Sequence, residues 1–428
     1  MTIILNRRRL LKGSGALGLL AAASGSRAFA QTVRLRGAWW GSVERVERTM
    51  EAARIYEEKT GVVFQGEGPG WGDYWPRLAT QVAGGNPPDI VQQNHSTISE
   101  YARNGVLLPL DEYVGNGLDL SDFDQVQIDA GTVDGQFYGV SLGYSAFGMI
   151  VSRPGWEAAG LDLPGMETSW DDFGRMAAEV TQASDRPNYY GVQDASGVVG
   201  ALQSWVRQRG KDLYTAEGDL GYDEEDAAEW FALWAHLRET GACPPAELQA
   251  LDQLNIETSM LTLGHAASAF AYSNQLVGYQ ATNQDPLALA PAPMDNGDES
   301  HGVYLQPAQF FSVTRASDFP DDAVAFINFF VRDEDAAEVL GVERGMPASA
   351  AVREFLTPTL DQGSQDMAAY LELVGPTAGP MPAAPPAGAT EMNAILKRTS
   401  EEVSFGQRTP QEGAAALMQE ADRLLIPA

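Results

Sequence analysis

The sequence predicts an α/β protein, and three observations lead there. A β-like run from Val33 to Trp39 is followed by a helical repeat and then by a second apolar run, Val62-Val63-Phe64-Gln65. That β-α-β order calls for parallel strands. The order then recurs: a helical stretch from Trp75 to Val82, a Gly84-Gly85-Asn86-Pro87-Pro88 turn, and a strand Asp89-Ile90-Val91-Gln92. Finally, the chain has 428 residues. Once an N-terminal export segment is set aside, that suffices for two domains of roughly 150–200 residues each.

The export segment is residues 1–30. Asn6-Arg7-Arg8-Arg9-Leu10-Leu11-Lys12 places adjacent arginines before an uncharged stretch, Gly13 to Ala23, that is too short to span a bilayer. Ala28-Phe29-Ala30 has the small-x-small form of a signal-peptidase site. The pattern resembles a twin-arginine signal with Arg7 and Arg8 as the pair, which is an address and not an anchor. An ordinary secretory signal is the alternative, and it too means export. The sole cysteine, Cys243, is far from the cleavage site, so neither lipid attachment there nor an internal disulfide is available.

The remaining elements follow in order. Gly41-Ser42 offers a helix start, with Val43, Val46, Met50 and Ala53 on one apolar face and Thr60-Gly61 as the stop. Ser99 to Asn104 reads as a short helix. Phe137 to Ser141 and Phe147 to Val151 read as strands separated by Gly143-Tyr144-Ser145, a candidate crossover between lobes. A more helical block spans 152–285. Within it Trp170 to Gln182 follows the N-cap Ser169, with Asp171-Asp172 favoured by the helix dipole, and Glu224 to Thr240 stops at Gly241. Ala266 to Tyr272, Leu287 to Ala290 and Phe310 to Val313 read as strands. Asp321-Asp322 opens a helix with Ala323, Phe326, Ile327 and Phe330 on one face. Gly375 to Gly388, with five prolines and three glycines, is a loop. A helix from Gln411 to Leu425 closes the chain.

The formal charge is −30, and removing the five bases of residues 1–30, which hold no acid, leaves −35. That acidity repels polyanions, so nucleic acid is not an expected partner. The four histidines, His95, His236, His265 and His301, have no zinc-ligand spacing. There is no phosphate loop, and Gly143-Tyr144-Ser145-Ala146-Phe147 has Phe where a nucleophile elbow needs its second glycine. A glycosidase carboxylate pair stays open on counting alone. No cofactor, no metal and no catalytic residue is expected.

The aromatic residues gather where strands end. Trp39-Trp40 follows the first strand; Trp71, Tyr74 and Trp75, with Asp73 among them, follow the second. Tyr144 lies in the crossover, Tyr272-Ser273-Asn274 ends a later strand, and Tyr304 precedes Gln306. Ligands of open α/β sheets bind beyond the carboxyl ends of strands. A sugar offers an apolar C–H face to a flat ring and a rim of hydroxyls to Asp, Asn, Gln and Ser. Trp40, Trp71 and Tyr272, in turns with polar neighbours, are the better ligand candidates, and Trp75 and Trp170, at helical positions, the better core candidates.

Several motifs together resemble the extracellular solute-binding proteins of bacterial sugar ABC transporters, the maltose-binding group. They are Ala38-Trp39-Trp40-Gly41, Gly70-Trp71-Gly72-Asp73-Tyr74-Trp75, Ala83-Gly84-Gly85-Asn86-Pro87-Pro88-Asp89-Ile90, Tyr272-Ser273-Asn274-Gln275, Phe326-Ile327-Asn328-Phe329-Phe330 and Glu343-Arg344-Gly345-Met346-Pro347. The detail looks closest to binders of plant-cell-wall oligosaccharides, pectin fragments included. The resemblance implies a two-lobed periplasmic-binding-protein fold with a ligand cleft between the lobes. One lobe would comprise 31–143 and 292–331, the other 144–291 and 332–428. By position, Gln93, Asn94 and His95 would line the first lobe with Trp40, Trp71 and Asp73, and Tyr144 and Ser145 would sit at the crossover. Tyr272, Ser273 and Asn274 would face them, with Tyr304 and Gln306 near the returning segment. Arg344 would either reach the ligand or brace the hinge. The implied partners are a small-molecule carbohydrate and the ABC permease subunits of the inner membrane, with the protein a periplasmic monomer. Gln93 stands where the maltose binder has a tryptophan, which argues against a long maltodextrin. A pectin uronate would want a base, for which only His95, His301 and Arg344 offer themselves. The alternatives are a binder of a non-sugar solute such as a polyamine and an exported polysaccharide-active enzyme.

Overall fold

In the computed structural model the described residues are 33–294, 302–383 and 385–425, the side chain of Ser96 excepted. The expected signal segment 1–30 and His301 lie outside them. Eight strands carry the architecture: β1 Arg34–Ala38, β2 Val63–Glu67, β3 Ile90–Gln93, β4 Val140–Ser145, β5 Phe147–Ser152, β6 Ser268–Tyr272, β7 Leu287–Ala290 and β8 Gln306–Val313. The first sheet has the order β2-β1-β3-β8-β4, with β1 parallel to both β2 and β3 and β8 antiparallel to both its neighbours. The second has the order β6-β5-β7, antiparallel throughout.

Helices cover both faces of the first sheet. On one side α1 (Val43–Thr60), α7 (Pro320–Arg332) and α8 (Glu334–Leu340) bury Ala52, Tyr56, Phe326, Phe330 and Leu340 against Leu35, Phe64, Ile90 and Phe311. On the other, α2 (Trp71–Ala83) and α3 (His95–Arg103) bury Tyr74, Leu78 and Ile98 against Val91 and Phe310. Ile90 and Val91, like Phe310 and Phe311, face opposite ways because side chains alternate along a strand. Strands covered on both faces read as continuous apolar runs. The second sheet is packed by the tryptophan-rich helices α4 (Trp170–Ala183), α5 (Val199–Gln208) and α6 (Glu224–Glu239), which bring Trp170, Trp205, Trp230 and Trp234 onto Met149, Val151 and Phe270. Three C-terminal helices, α9 (Gln362–Val374), α10 (Ala389–Ser404) and α11 (Pro410–Leu424), complete this side. Trp170 is core as expected, its indole N–H donating to Gln208 Oε1 at 3.0 Å.

Four local expectations are corrected. The buried face of α1 is Arg45, Thr49, Ala52, Ala53 and Tyr56, while Val43 is 65% exposed and Met50 37%. The helix turns that face inward because Arg45 is held by a buried carboxylate, described below. Trp71 is not in a turn. It opens α2, whose N-cap is Gly70, four residues before the expected start at Trp75. His95 likewise opens α3, after the N-cap Asn94. Gly143-Tyr144-Ser145 is not a loop but the end of β4, because the segment Glu343–Met346 pairs with it: Tyr144 N–H donates to Met346 O at 2.8 Å and Met346 N–H to Tyr144 O at 3.0 Å. Gly345 sits there at φ 92°, and a Cβ on it would come within 2.4 Å of Tyr144 O.

Only Ala146 separates β4 of the first sheet from β5 of the second, and Ser273 N–H donates to its carbonyl at 2.9 Å. The chain returns to the first sheet through 302–305 into β8, and the 343–346 segment runs alongside. These passages hold the two lobes together around one cavity.

Candidate functional site

The carboxyl ends of the three parallel strands deliver the first wall of that cavity. Two residues past β1 stands Trp40, past β2 comes the Gly70-Trp71 entry to α2, and past β3 come Asn94 and His95 at the start of α3; all line a space of about 340 Å³. The second lobe contributes Phe147, Phe270, Tyr272, Asn274 and Gln275, and the passage into β8 contributes Tyr304, Gln306 and Gln309. The volume lies at the small end of ligand sites, about 300–1,000 Å³.

Trp40 is fixed from two directions. Its ring packs on Trp71, Tyr74 and Trp75 at centroid distances of 5.1, 5.2 and 5.3 Å. Its carbonyl accepts from Gln92 Nε2 at 3.2 Å and from Arg45 Nη1 at 3.2 Å. Arg45 in turn places Nε on Glu343, 2.7 Å from Oε1 and 2.9 Å from Oε2, both side chains being buried. A buried ion pair of this kind needs such complete pairing to offset desolvation. Arg344 Nη1 also lies 3.4 Å from Glu343 Oε2, so two buried arginines share this carboxylate, and the wall nearest Trp40 is rigid.

Across the cavity, Tyr272 leans on Phe147 with centroids 5.0 Å apart, and its backbone N–H donates to Gln275 Oε1 at 2.9 Å. Tyr304 donates to Gln203 Oε1 at 3.0 Å, with the Arg207 guanidinium 5.0 Å over its ring. Burial raises the pKa of both phenols, so each remains a hydroxyl at neutral pH. Burial lowers the pKa of His95, outweighing the carbonyls of Pro382 and Ala383 that favour its cation. Neither ring nitrogen of His95 makes a hydrogen bond of good geometry, nor do Gln193 Oε1 and Gln309 Oε1, and all three residues line the cavity. A buried polar atom without a partner is costly, and a ligand removes that cost.

Of the residues singled out from sequence, the structure brings Trp40, Trp71, Asn94, His95, Tyr272, Asn274, Tyr304 and Gln306 to the cavity. Asp73 is exposed in the first turn of α2, and Gln93 is buried, accepting from the Thr97 hydroxyl at 2.7 Å. Tyr144 packs under the Arg353 guanidinium, 5.6 Å from its ring, and Ser145 is buried in β4. Ser273 accepts from Ala146 N–H at 3.3 Å. Arg344 donates to the Thr49 hydroxyl at 2.7 Å, and burial pushes its pKa down to about 9. None of these six lines the cavity. The wall also holds residues the sequence did not point out: Arg45, Gln193, Gln203, Asp212, Tyr214, Asp252, Asn255, Glu257, Gln309, Glu343 and Asn393. Most come from distant segments without local pattern. Gln309 did carry a structural reason, since β8 is irregular on both sides of it and a bulge re-aims a side chain.

With this geometry in place, similarity to known proteins is informative. The family model described as bacterial extracellular solute-binding protein matches residues 51–369. A putative binding protein of Brucella abortus (strain 2308) is 21% identical over 386 residues, 89% of each chain. A solved extracellular solute-binding protein family 1 member from Alicyclobacillus acidocaldarius is 28% identical, with TM-score 0.65, over 92% of this chain and 98% of that one. A periplasmic oligogalacturonide binding protein from Yersinia enterocolitica, solved with saturated digalacturonic acid, superimposes with TM-score 0.82 at 24% identity, over 91% of this chain and 98% of that one.

Proposed function

This chain belongs to the bacterial extracellular solute-binding protein family, and from that premise we propose that it captures a mono- or oligosaccharide and hands it to an ABC importer. The observation that carries the proposal is the cavity wall. Flat rings of Trp40, Trp71 and Tyr272 stand around neutral amide, imidazole and phenol groups, several still without a partner. That combination suits a ring with an apolar face and a rim of hydroxyls. The ligand residues we assign are those of the predicted set that line the cavity, joined by Gln193 and Gln309. Arg344 is assigned to bracing the 343–346 segment.

The action we propose is hinge closure, with no bond made or broken. We assign 31–143 and 292–331 to the first lobe and extend its second part to about residue 356, because Ala336, Leu340 and Ala348 pack in its core. The rest, 144–291 and the C-terminal helices, forms the second lobe. Export of the folded monomer through Arg7-Arg8 to the periplasm completes the reading, with permease subunits and no nucleic acid as partners.

A thermal-shift screen against a broad sugar panel tests this. Binding at a hundredfold excess over Kd adds about 2.7 kcal/mol of apparent stability, read as a rise in Tm. The acidic wall residues Asp212, Asp252 and Glu257 also suit a cation, so polyamines belong in the same screen. A shift with a polyamine and with no sugar overturns the saccharide assignment. Release of sugar products by the pure protein overturns its assignment as a binder.

A further inference from the structure

We infer that the cavity selects an uncharged saccharide and rejects the corresponding uronate, an inference that rests on the saccharide reading above. The ionic groups of the wall carry it. Among the described residues lining the cavity, Arg45 is the only lysine or arginine. It is committed: Nε lies on both oxygens of Glu343, Nη1 on Trp40 O and Nη2 on Glu343 O at 3.4 Å. The Asp212 carboxylate is held by Arg207, which sits behind Tyr304. Glu257 then adds negative charge to the wall with no ion pair to offset it among the described residues, and Asp252 adds to it against the pull of Lys397. His95 does not supply the missing cation, because burial favours its neutral form.

Two of the spare hydrogen-bonding atoms point the same way, while the neutral His95 ring offers one donor and one acceptor and favours neither ligand. Gln193 and Gln309 are 3% and 4% exposed, and in each the amide oxygen lacks a partner. These oxygens accept and do not donate. A sugar hydroxyl brings a donor to them, whereas an ionised carboxylate has none and brings a charge toward two carboxylates. A unit charge about 8 Å from another, at an effective dielectric near 20, is disfavoured roughly thirtyfold before salt screening reduces it. The fold shared with a digalacturonate-bound protein therefore does not carry that protein's ligand charge with it.

Titration calorimetry on the purified protein tests this with matched pairs of hexose and hexuronate, as monosaccharides and disaccharides of the same linkage. We expect the neutral member of any pair that binds to be at least tenfold tighter, with the gap narrowing as salt is raised. A uronate that binds as tightly as its neutral partner, or more tightly, overturns the inference while leaving the saccharide reading intact. Silence from both members of every pair overturns the saccharide reading itself. A second measurement uses Glu257→Lys, a change at an exposed position that leaves the core untouched. The neutral-to-uronate affinity ratio should fall roughly tenfold, and an unchanged ratio overturns the role given to the wall carboxylates.

Discussion

Trp40 and Trp71 face the same cavity yet play unequal parts in it. Trp40 is 9% exposed and packs on three rings, so its truncation removes core as well as ligand surface. Trp71 is half-buried at the start of α2, with rings on one side and the cavity on the other. Trp71→Ala should weaken sugar binding tenfold or more, as loss of an aromatic anchor does, while the melting midpoint moves little. Calorimetry that finds unchanged affinity returns Trp71 to the core. Asp252 makes a second residue-scale prediction. Burial lifts its carboxyl to about 6 from an ordinary 3.8, against the opposing pull of Leu254 N–H, Lys397 and Gln249; Tyr279 also faces it. Folding thus favours the protonated acid, so this group's contribution is fully present below the ordinary value and is lost as pH rises through about 6. Asp252→Asn should be more stable than the parent by about 2–3 kcal/mol at pH 7 and equal to it near pH 3. Urea unfolding that gives the same difference at both pH values removes burial as the cause. At this scale the aromatic residues were legible because they follow strands directly in sequence. Gln193, Asp252 and Glu257 were not, because only tertiary folding brings their segments to the cavity.

Elements were legible where local chemistry decides them and misread where a distant partner does. Ser42, Thr60 and Gly61 bound α1 from sequence alone, the Ser42 side chain accepting from Arg45 N–H at 3.3 Å and Gly61 taking φ 77°. Which face of α1 is buried was misread, since a charged residue at the centre of the buried face defeats a count of apolar positions. The reason is Glu343, 298 residues away in sequence. The same segment turned Gly143-Tyr144-Ser145 from an expected loop into strand. Glu343→Ala should therefore destabilise the protein by about 3–5 kcal/mol, because it leaves Arg45 and Arg344 buried without their shared carboxylate. Replacing Arg45→Met together with Glu343→Leu should recover part of that loss, with the buried Arg344 still lacking its carboxylate. Thermal unfolding of the single and double variants distinguishes this from simple loss of packing, for which the double variant would be no better than the single.

At the scale of the molecule, the α/β class followed from two successive β-α-β units, and the two-lobed arrangement from motifs spread across the chain. What the motifs did not show is how closely the passages between lobes are joined: Tyr144 with Met346 and Ala146 with Ser273 are hydrogen-bonded, and Gly345 admits no side chain beside Tyr144 O. Such a strap can bend as a unit, but its members cannot slide apart without losing backbone bonds. Closure by rotation about it has a measurable consequence. A compact chain of about 400 residues has a radius of gyration near 21 Å. Solution scattering of the free protein should give a larger value that falls toward this when a saturating sugar is added. Hydrogen exchange at the Tyr144 and Met346 amides should stay slow in both states, since the hinge bends without unpairing. A radius unchanged by ligand would mean that the lobes are already closed around the cavity. Fast exchange at those two amides in the free state would mean that the strap opens, and that ligand acts by ordering it.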